Sequence, residues 1–203
     1  WKTANVTTME NMFFGCSALE EIDVSSWDTS KVTTMQSMFQ NCLNLMNIDV
    51  SSWDTSKVTT MQNMFYQCKT MTKLEASNWN TSKVTTMANM FQFCNGLTEI
   101  DALNWDTSKV LDSESMFAHC TNLTTIYVGN NWSMVQVVYR PEDKEQKIEK
   151  LSSENMFTGC TSLVGGSGTE FSSSNPTDKT YAIIDGGASN PGYLTQGPAP
   201  ANP

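Results

Sequence analysis

The sequence predicts a repeat solenoid, and three observations predict it. The string WDTSKVTTMQ occurs from Trp27 and again from Trp53, returns as WNTSKVTTMA from Trp79, and as WDTSKV from Trp105. Trp stands at positions 1, 27, 53, 79, 105 and 132, a constant step that lengthens by a single position at the last. Cys keeps the same step at 16, 42, 68, 94 and 120. Self-similarity at a fixed period of this length marks architectures in which each unit needs its neighbour to cover its apolar side. Identical residues then form columns. Val6, Val32, Val58, Val84 and Val110 make one, and Phe13, Phe39, Phe65, Phe91 and Phe117 another. One packing solution is reused in every unit, which is why the decapeptide recurs.

Within a unit the first element is a strand. The segments LEEIDVS, LMNIDVS, MTKLEAS, LTEIDAL and LTTIYVG share one pattern, and Ile22 and Val24 alternate with Glu21, Asp23 and Ser25. That is strand periodicity with one buried face. Strands of successive units are expected to pair in parallel about 4.8 Å apart. The columns Ile22/Ile48/Leu74/Ile100/Ile126 and Leu19/Leu45/Met71/Leu97/Leu123 are expected beneath them as one core. SSWDTSK follows and is rich in turn residues; Asp28 and Ser30 can bond nearby backbone N–H groups. VTTM is β-branched and reads equally as a short second strand or as a first helical turn. In QSMFQNC, Met35, Met38 and Phe39 stand at i, i+3 and i+4, which suits a closing helical turn.

The units divide the chain. Residues 1–131 hold five regular repeats, each running from one Trp of the ladder to the position before the next. Residues 132–164 form an irregular sixth, because Cys160 comes much later after Trp132 than Cys42 does after Trp27. The extra length falls within VVYRPEDKEQKIEKL. Residues 165–195 read as a C-terminal cap, with Tyr181, Ile183 and Tyr193 turned inward, since an uncovered end exposes apolar surface and sheet edge. Residues 196–203, QGPAPANP, read as the start of a Pro-rich linker. The chain opens on the phase of the repeat at Trp1, without an initiator Met, and reads as a piece of a longer protein.

The unit C-x-x-L-x-x-I-D-V-S-x-W-D-T-S-x-V-x-x-M-x-x-M-F resembles the repeat of the BspA-like leucine-rich-repeat surface proteins of bacteria, over roughly residues 1–165. YAIIDGGASNPGYLT, from Tyr181 to Thr195, resembles the segment that closes the array in that family. The resemblance implies a right-handed leucine-rich-repeat coil, with a parallel sheet on the concave face, short strands or helical turns on the convex face, and a C-terminal cap. It also implies a secreted or cell-surface location, adhesion or host interaction, and no catalytic site. Ser113 stands where Met35, Met61 and Met87 stand, and the loop before Leu151 is inserted; these departures bear on the last two units.

Charge excludes some partners. The net charge is −9, from 12 Lys and Arg against 21 Asp and Glu. Nucleic acid and anionic membrane surfaces need a basic footprint. No run of about 18 apolar residues exists, so no membrane insertion is expected.

Several features invite a chemical reading and yield a plainer one. Met9/Met12/Cys16 and their repeats offer soft ligands suited to Cu(I), but they share a phase with Val and Phe and read as core filling. One Cys per unit places neighbours within Cα range of a disulfide, yet parallel Cβ vectors hold the Cβ atoms near ~4.8 Å, beyond the usual ~3.5–4.5 Å, so free buried thiols are expected. His119, the sole His, fills a variable slot shared with Gly15, Asn41, Gln67 and Phe93, which argues for the surface and against catalysis or zinc. GGSGTE lacks the Lys and helix of a phosphate loop. The Thr33/Thr59/Thr85 and Thr34/Thr60/Thr86 columns resemble the flat arrays of ice-binding solenoids, but read as β-branched fillers of a convex face. No cofactor and no metal site is expected.

The candidate partner-binding residues are Asp23, Asp49, Glu75 and Asp101, in the outward slot of each strand, with Tyr127 in the fifth unit. Neighbouring carboxylates at about 4.8 Å repel by about 1 kcal/mol in water, and Lys73 lies near enough to relieve Asp49 and Glu75. The row suits a solvated polar face or a surface for a basic segment of a host or bacterial surface protein. Ca²⁺, which prefers clustered oxygens, is a secondary alternative. The sequence thus points to a non-enzymatic adhesion or protein-interaction module binding through its concave face and the Pro141–Lys147 loop. A rigid stalk displaying other domains is the alternative.

Overall fold

The computed structural model describes residues 1–134 and 152–197, together with the backbone of 137–140 and 145–148. The fold is mostly non-helical, with small parallel sheets and one 3₁₀ turn, Gly187–Ser189, among the described residues. Strands β1 (Asn47–Ile48) and β2 (Lys73–Leu74) pair in parallel, with Asn47 opposite Lys73. Strands β3 (Glu99–Ala102) and β4 (Thr125–Val128) pair in the same offset, Ile100 opposite Ile126. In the inserted segment β5 (Val137–Arg140) and β6 (Glu145–Ile148) form an antiparallel hairpin. Strand β7 (Thr195–Gln196) returns to pair in parallel with β4.

The pairing differs from the expected single sheet through every unit. The strand row is split into a two-stranded and a three-stranded sheet, and the first unit contributes no strand. A turn follows at once: the Asp49 carboxylate accepts the Ser51 N–H at 3.0 Å and bends the chain just after β1. The unbroken pairing lies elsewhere. Parallel bridges link Thr8 to Thr34, Thr34 to Thr60, Thr60 to Thr86, Thr86 to Asp112 and Asp112 to Ser152. VTTM is therefore neither a full strand nor a helical turn, but a single bridge per unit.

The segment after it is not helical either. The Met38 N–H reaches the Met35 carbonyl at 3.3 Å and the Cys42 N–H reaches that of Phe39 at 3.1 Å, closing two successive turns. Ser37 and Asn41 hold φ of 55° and 64°, left-handed values that stop a helix from propagating. Between them, the N–H groups of Met35, Ser37, Phe39 and Asn41 donate to the carbonyls of Thr60, Gln62, Met64 and Tyr66 in the next unit. Alternate peptides thus bond across units instead of along one.

The columns pack as the period requires. Ile48, Leu74, Ile100 and Ile126 are buried, as are Leu45, Met71, Leu97 and Leu123, while Leu19 and Ile22 in the first unit are half-buried. The Phe rings from Phe13 to Phe157 stack with centroids 5.3–5.9 Å apart, and those of Trp27, Trp53, Trp79 and Trp105 at 6.0–6.4 Å. Each fully buried Val or Phe contributes roughly 1.5–3 kcal/mol. Polar groups repeat too. Trp53, Trp79 and Trp105 donate their indole N–H to the carbonyls of Val24, Val50 and Ala76, each 29 positions earlier in the chain. The buried hydroxyls of Thr29, Thr55 and Thr81 donate to the carbonyls of Asp54, Asn80 and Asp106.

Residues 163–197 lie over the last unit. Tyr193 is fully buried, edge-on to Phe157 at 5.4 Å and beside Tyr181 at 4.7 Å; Tyr181 and Ile183 are half-buried. The Trp132 indole N–H departs from the pattern of its predecessors and donates to the Ala182 carbonyl. Asp185, 6% exposed, accepts the N–H groups of Ser167, Thr169 and Gly187 at 2.9 Å and the Thr169 hydroxyl at 2.7 Å. Gly165 lies against this carboxylate; a Cβ there would meet the Gly192 carbonyl at 2.2 Å, so no larger residue fits.

Candidate functional site

The acidic row is built from turns. In the first two units the strand-row segment runs into Asp–Val–Ser, and the Asp oxygen takes the N–H and hydroxyl of the Ser two positions on. Asp23 Oδ1 accepts from Ser25 at 3.0 and 2.6 Å, and Asp49 Oδ1 accepts from Ser51 at the same distances. The hydroxyl bond and then the amide bond lower the pKa of both carboxyls. Both residues are exposed, and among the described residues neither carboxylate makes a further hydrogen bond through its second oxygen. In the fourth unit Leu103 replaces the Ser, and Asp101 keeps only the amide bond, at 3.1 Å. Glu75 forms an ion pair with Lys73, both about half exposed; among the described residues Lys73 makes no ion pair with Asp49, the other carboxylate it is expected to relieve.

Tyr127 faces outward opposite Asp101 in the β3–β4 ladder and is half-buried. Burial, with Glu99 nearby, raises its phenol pKa, and a bond to Thr125 partly offsets this. A shallow depression of about 420 Å³ lies at the open end of the row, lined by Glu21, Ile22, Asp23 and Asn47. The structure therefore brings Asp23, Asp49, Glu75, Asp101 and Tyr127 onto one side, in unit order. Among the described residues no group of three or more His, Cys, Asp or Glu is placed to hold a metal ion. Residues 141–144 and the side chains of 137–148, which include the expected Pro141–Lys147 contact loop, lie outside the described residues.

A second acidic row runs beside the Trp column. Asp28 takes the N–H and hydroxyl of Ser30 at 3.0 and 2.6 Å, and Asp54, Asn80 and Asp106 repeat the turn with Ser56, Ser82 and Ser108. Asn80 serves as well as Asp, so this slot requires an acceptor oxygen rather than a charge.

Two features were invisible as columns. The slot of His119 looks variable in sequence and is in fact the left-handed one: Phe93 and His119 hold φ of 63° and 62°. His119 is not a free surface group; it is half-buried and stacks on Phe93 at 4.7 Å. The signal was present in Asn11, Asn63, Asn89 and Asn155, and in Gly15, Asn41 and Gly159, the residue types that tolerate positive φ best. The Cys column also does more than fill space. The thiols of Cys42, Cys68, Cys94, Cys120 and Cys160 donate to the carbonyls of Phe13, Phe39, Phe65, Phe91 and Phe117 at 2.9–3.2 Å. All six cysteines are free, and only Cys16 is exposed. Burial pushes Cys42 and Cys160 up to about 12 and also raises Cys68, Cys94 and Cys120, away from reactivity.

With the repeat and its geometry in place, comparison with protein families is decisive. A family model described as "Mycoplasma protein of unknown function, DUF285" matches residues 1–75 and again 46–153, the second match displaced along the repeat. The chain belongs to the DUF285 family. No curated protein and no solved structure matches it. The DUF285 matches cover the regular units and end before Cys160, so the segment that closes the array lies beyond them. Among the described residues of this DUF285 chain no helix is long and apolar enough to cross a membrane.

Proposed function

We propose that this chain is a non-enzymatic adhesion or protein-interaction module of a bacterial surface protein, built as a right-handed leucine-rich-repeat solenoid of the BspA-like kind. Parallel pairing of equivalent positions in successive regular units, and the stacked Phe and Trp columns, support the solenoid. One observation carries the binding reading: carboxylates of the strand row are held in place by Ser25 and Ser51, each with an oxygen left for a partner. A preset anionic row loses little freedom on binding and favours a basic segment of a host or bacterial surface protein. The strand side is then the concave face, and Tyr127 adds an amphipathic ring beside Asp101.

A chain with Asp23, Asp49, Glu75 and Asp101 changed to Asn or Gln tests this in a pull-down of host matrix and epithelial proteins across a salt series. The reading requires retention by the parent that weakens with salt and drops in the variant. Equal retention by both moves the site off this row. The stalk reading draws on the continuous Phe and Trp stacks, which stiffen the array from end to end. It predicts no specific retention from any source.

A further inference from the structure

We propose that the turn row carries a second binding surface, a strip of aromatic rings and open amides that takes a chain of uncharged sugars. The slot of Gly15, Asn41, Gln67, Phe93, His119 and Gly159 is left-handed in every unit, and Gly and Asn suit it best. Phe93 and His119 hold φ of 63° and 62°, where side chains of that bulk are strained. Tyr66 departs from its slot too, which holds Gln40 in the unit before and Gln92 in the unit after. The three departures meet. Tyr66 stands edge-on to Phe93 with ring centroids 5.9 Å apart, and Phe93 lies flat on His119 at 4.7 Å. Gly159 in the next unit makes room for them, since a Cβ there would meet His119 Nδ1 at 2.6 Å. The core does not need this group: the Phe and Trp columns stack without it, and all three residues are only half-buried.

The polar groups around the rings are open. The Gln67 N–H donates to the Gln92 carbonyl at 2.8 Å, so these two residues flank the rings, and Gln92 stands to His119 in the register in which Tyr66 stands to Phe93. The Gln67 and Gln92 amides, the Tyr66 hydroxyl and the His119 ring make no hydrogen bond among the described residues, although all four are half-buried. Polar groups withdrawn from water normally find partners. The strip is also free of charge. In a chain of net charge −9, no Asp, Glu, Lys or Arg stands at 14, 40, 66, 92, 118 or 158, or at 15, 41, 67, 93, 119 or 159.

These features select the occupant. Aromatic rings offer broad apolar contact with few torsions to freeze, and a sugar ring presents C–H groups on its faces. A side-chain amide carries one acceptor oxygen and two donor hydrogens, which matches a hydroxyl that both donates and accepts. A charged ligand finds nothing to pair with in either slot, neither a cation for an anionic polymer nor a carboxylate for a basic segment. The rings follow one another from unit to unit, so a chain of sugars meets more of them than a single ring does. The strip belongs to the turn row and the acidic residues to the strand row, so binding here does not depend on what Asp23, Asp49, Glu75 and Asp101 recognise.

His119 is the sole histidine, so its ring resonances are assigned without mutation. The chain is titrated with cellohexaose, maltohexaose and chitohexaose while those signals are followed. At least one of the three is expected to shift them saturably, with a midpoint that stays constant across a salt series because no charge is paired. No saturable shift from any of them overturns the proposal. A variant carrying Tyr66→Gln, Phe93→Asn and His119→Asn places in each slot a residue type that the repeat already uses there. Its melting temperature should hold or rise, while calorimetry should show binding weakened by roughly tenfold, the scale of two lost aromatic contacts. Tyr66→Gln alone leaves every left-handed residue in place and should weaken binding by about threefold, read on the His119 signals themselves. Unchanged affinity in a folded variant of either kind overturns the proposal. So does a stronger shift with heparin or with a Pro-rich peptide than with any of the sugars, which would assign the rings to an anionic polymer or to a peptide instead.

Discussion

The two ends of this array solve the same problem to different degrees. At the C-terminal end several repeated groups find a substitute partner, the Phe157 N–H among them on the Thr177 carbonyl. Tyr193 continues the Phe column, Ala182 takes the Trp132 indole, and β7 lies against β4. In the first unit, Trp1 and Phe14 are exposed and the Trp27 indole finds no partner among the described residues. The contrast teaches that closing a repeat needs irregular sequence. Residues 163–197 carry none of the W-D-T-S-K-V pattern, yet they meet the Phe column, the Trp column and the strand row each with a fitting group.

The largest effect should come from removing that closure. Deleting residues 165–195 should give a chain that aggregates or oligomerises more than the parent, read by light scattering; a well-behaved monomer would break the contrast. Next come single aromatic truncations. Tyr193→Ala and Phe91→Ala should each cost about 3–5 kcal/mol, and Phe13→Ala, half-buried at the open end, clearly less, in urea melts. Equal costs for Phe91 and Phe13 would mean that the ends differ only in appearance. Trp79→Phe removes one bond to the Val50 carbonyl, which keeps the Trp53 N–H, and should cost about 0.5–1.5 kcal/mol more than Trp27→Phe, which removes none.

Acid should act on the closed end. Burial alone would raise the Asp185 pKa, but its bonds from Thr169, Gly187 and Ser167 outweigh that and bring it to about 2. A carboxyl lowered on folding stabilises the fold above its unfolded value, near 3.9, and loses that contribution as pH falls through about 2. Unfolding of the parent should therefore become easier between about pH 4 and pH 2, and Asp185→Asn should flatten that part of the profile. The aspartates of the turns add in the same direction, since Asp23, Asp28, Asp49, Asp54 and Asp106 are also lowered by their serines. The smallest expected effect is a gain. Phe93→Asn relieves a bulky left-handed residue and should stabilise by about 1 kcal/mol, less whatever its stacking on His119 contributes.

Much of the core was legible before any coordinates. The fixed period places Val32, Met35, Phe39, Cys42, Leu45 and Ile48 at set phases, and all are buried because each repeats an apolar slot that its neighbours must cover. Periodicity reports which face a side chain takes and says little about backbone sign or about who bonds whom. Gln67, Phe93 and His119 masked the left-handed slot because tertiary packing overrides the preference that Gly15 and Asn41 declare. The strand row was overestimated because the alternation at Ile22–Val24 was read without the Asp–Ser turn that cuts it short. Of the candidate site, the acidic residues and their shared side were legible. That Ser25 and Ser51 hold them was not, since those serines look like ordinary turn residues.

The turn row has one more consequence. Its alternating backbone points every second peptide the same way: the N–H groups of Met35, Ser37, Phe39 and Asn41 all face the following unit, and the carbonyls of Thr34, Gln36, Met38 and Gln40 all face the preceding one. Each peptide carries a dipole of about 3.5 D, and in a helix such alignment sums to a macrodipole. Here the sum runs down the array instead of along the chain, growing with each unit added. The turn row is thereby polarised along the array, negative toward Trp1, while the Thr33, Thr59 and Thr85 N–H groups, which donate to Thr7, Thr33 and Thr59 in the preceding unit, oppose part of that sum.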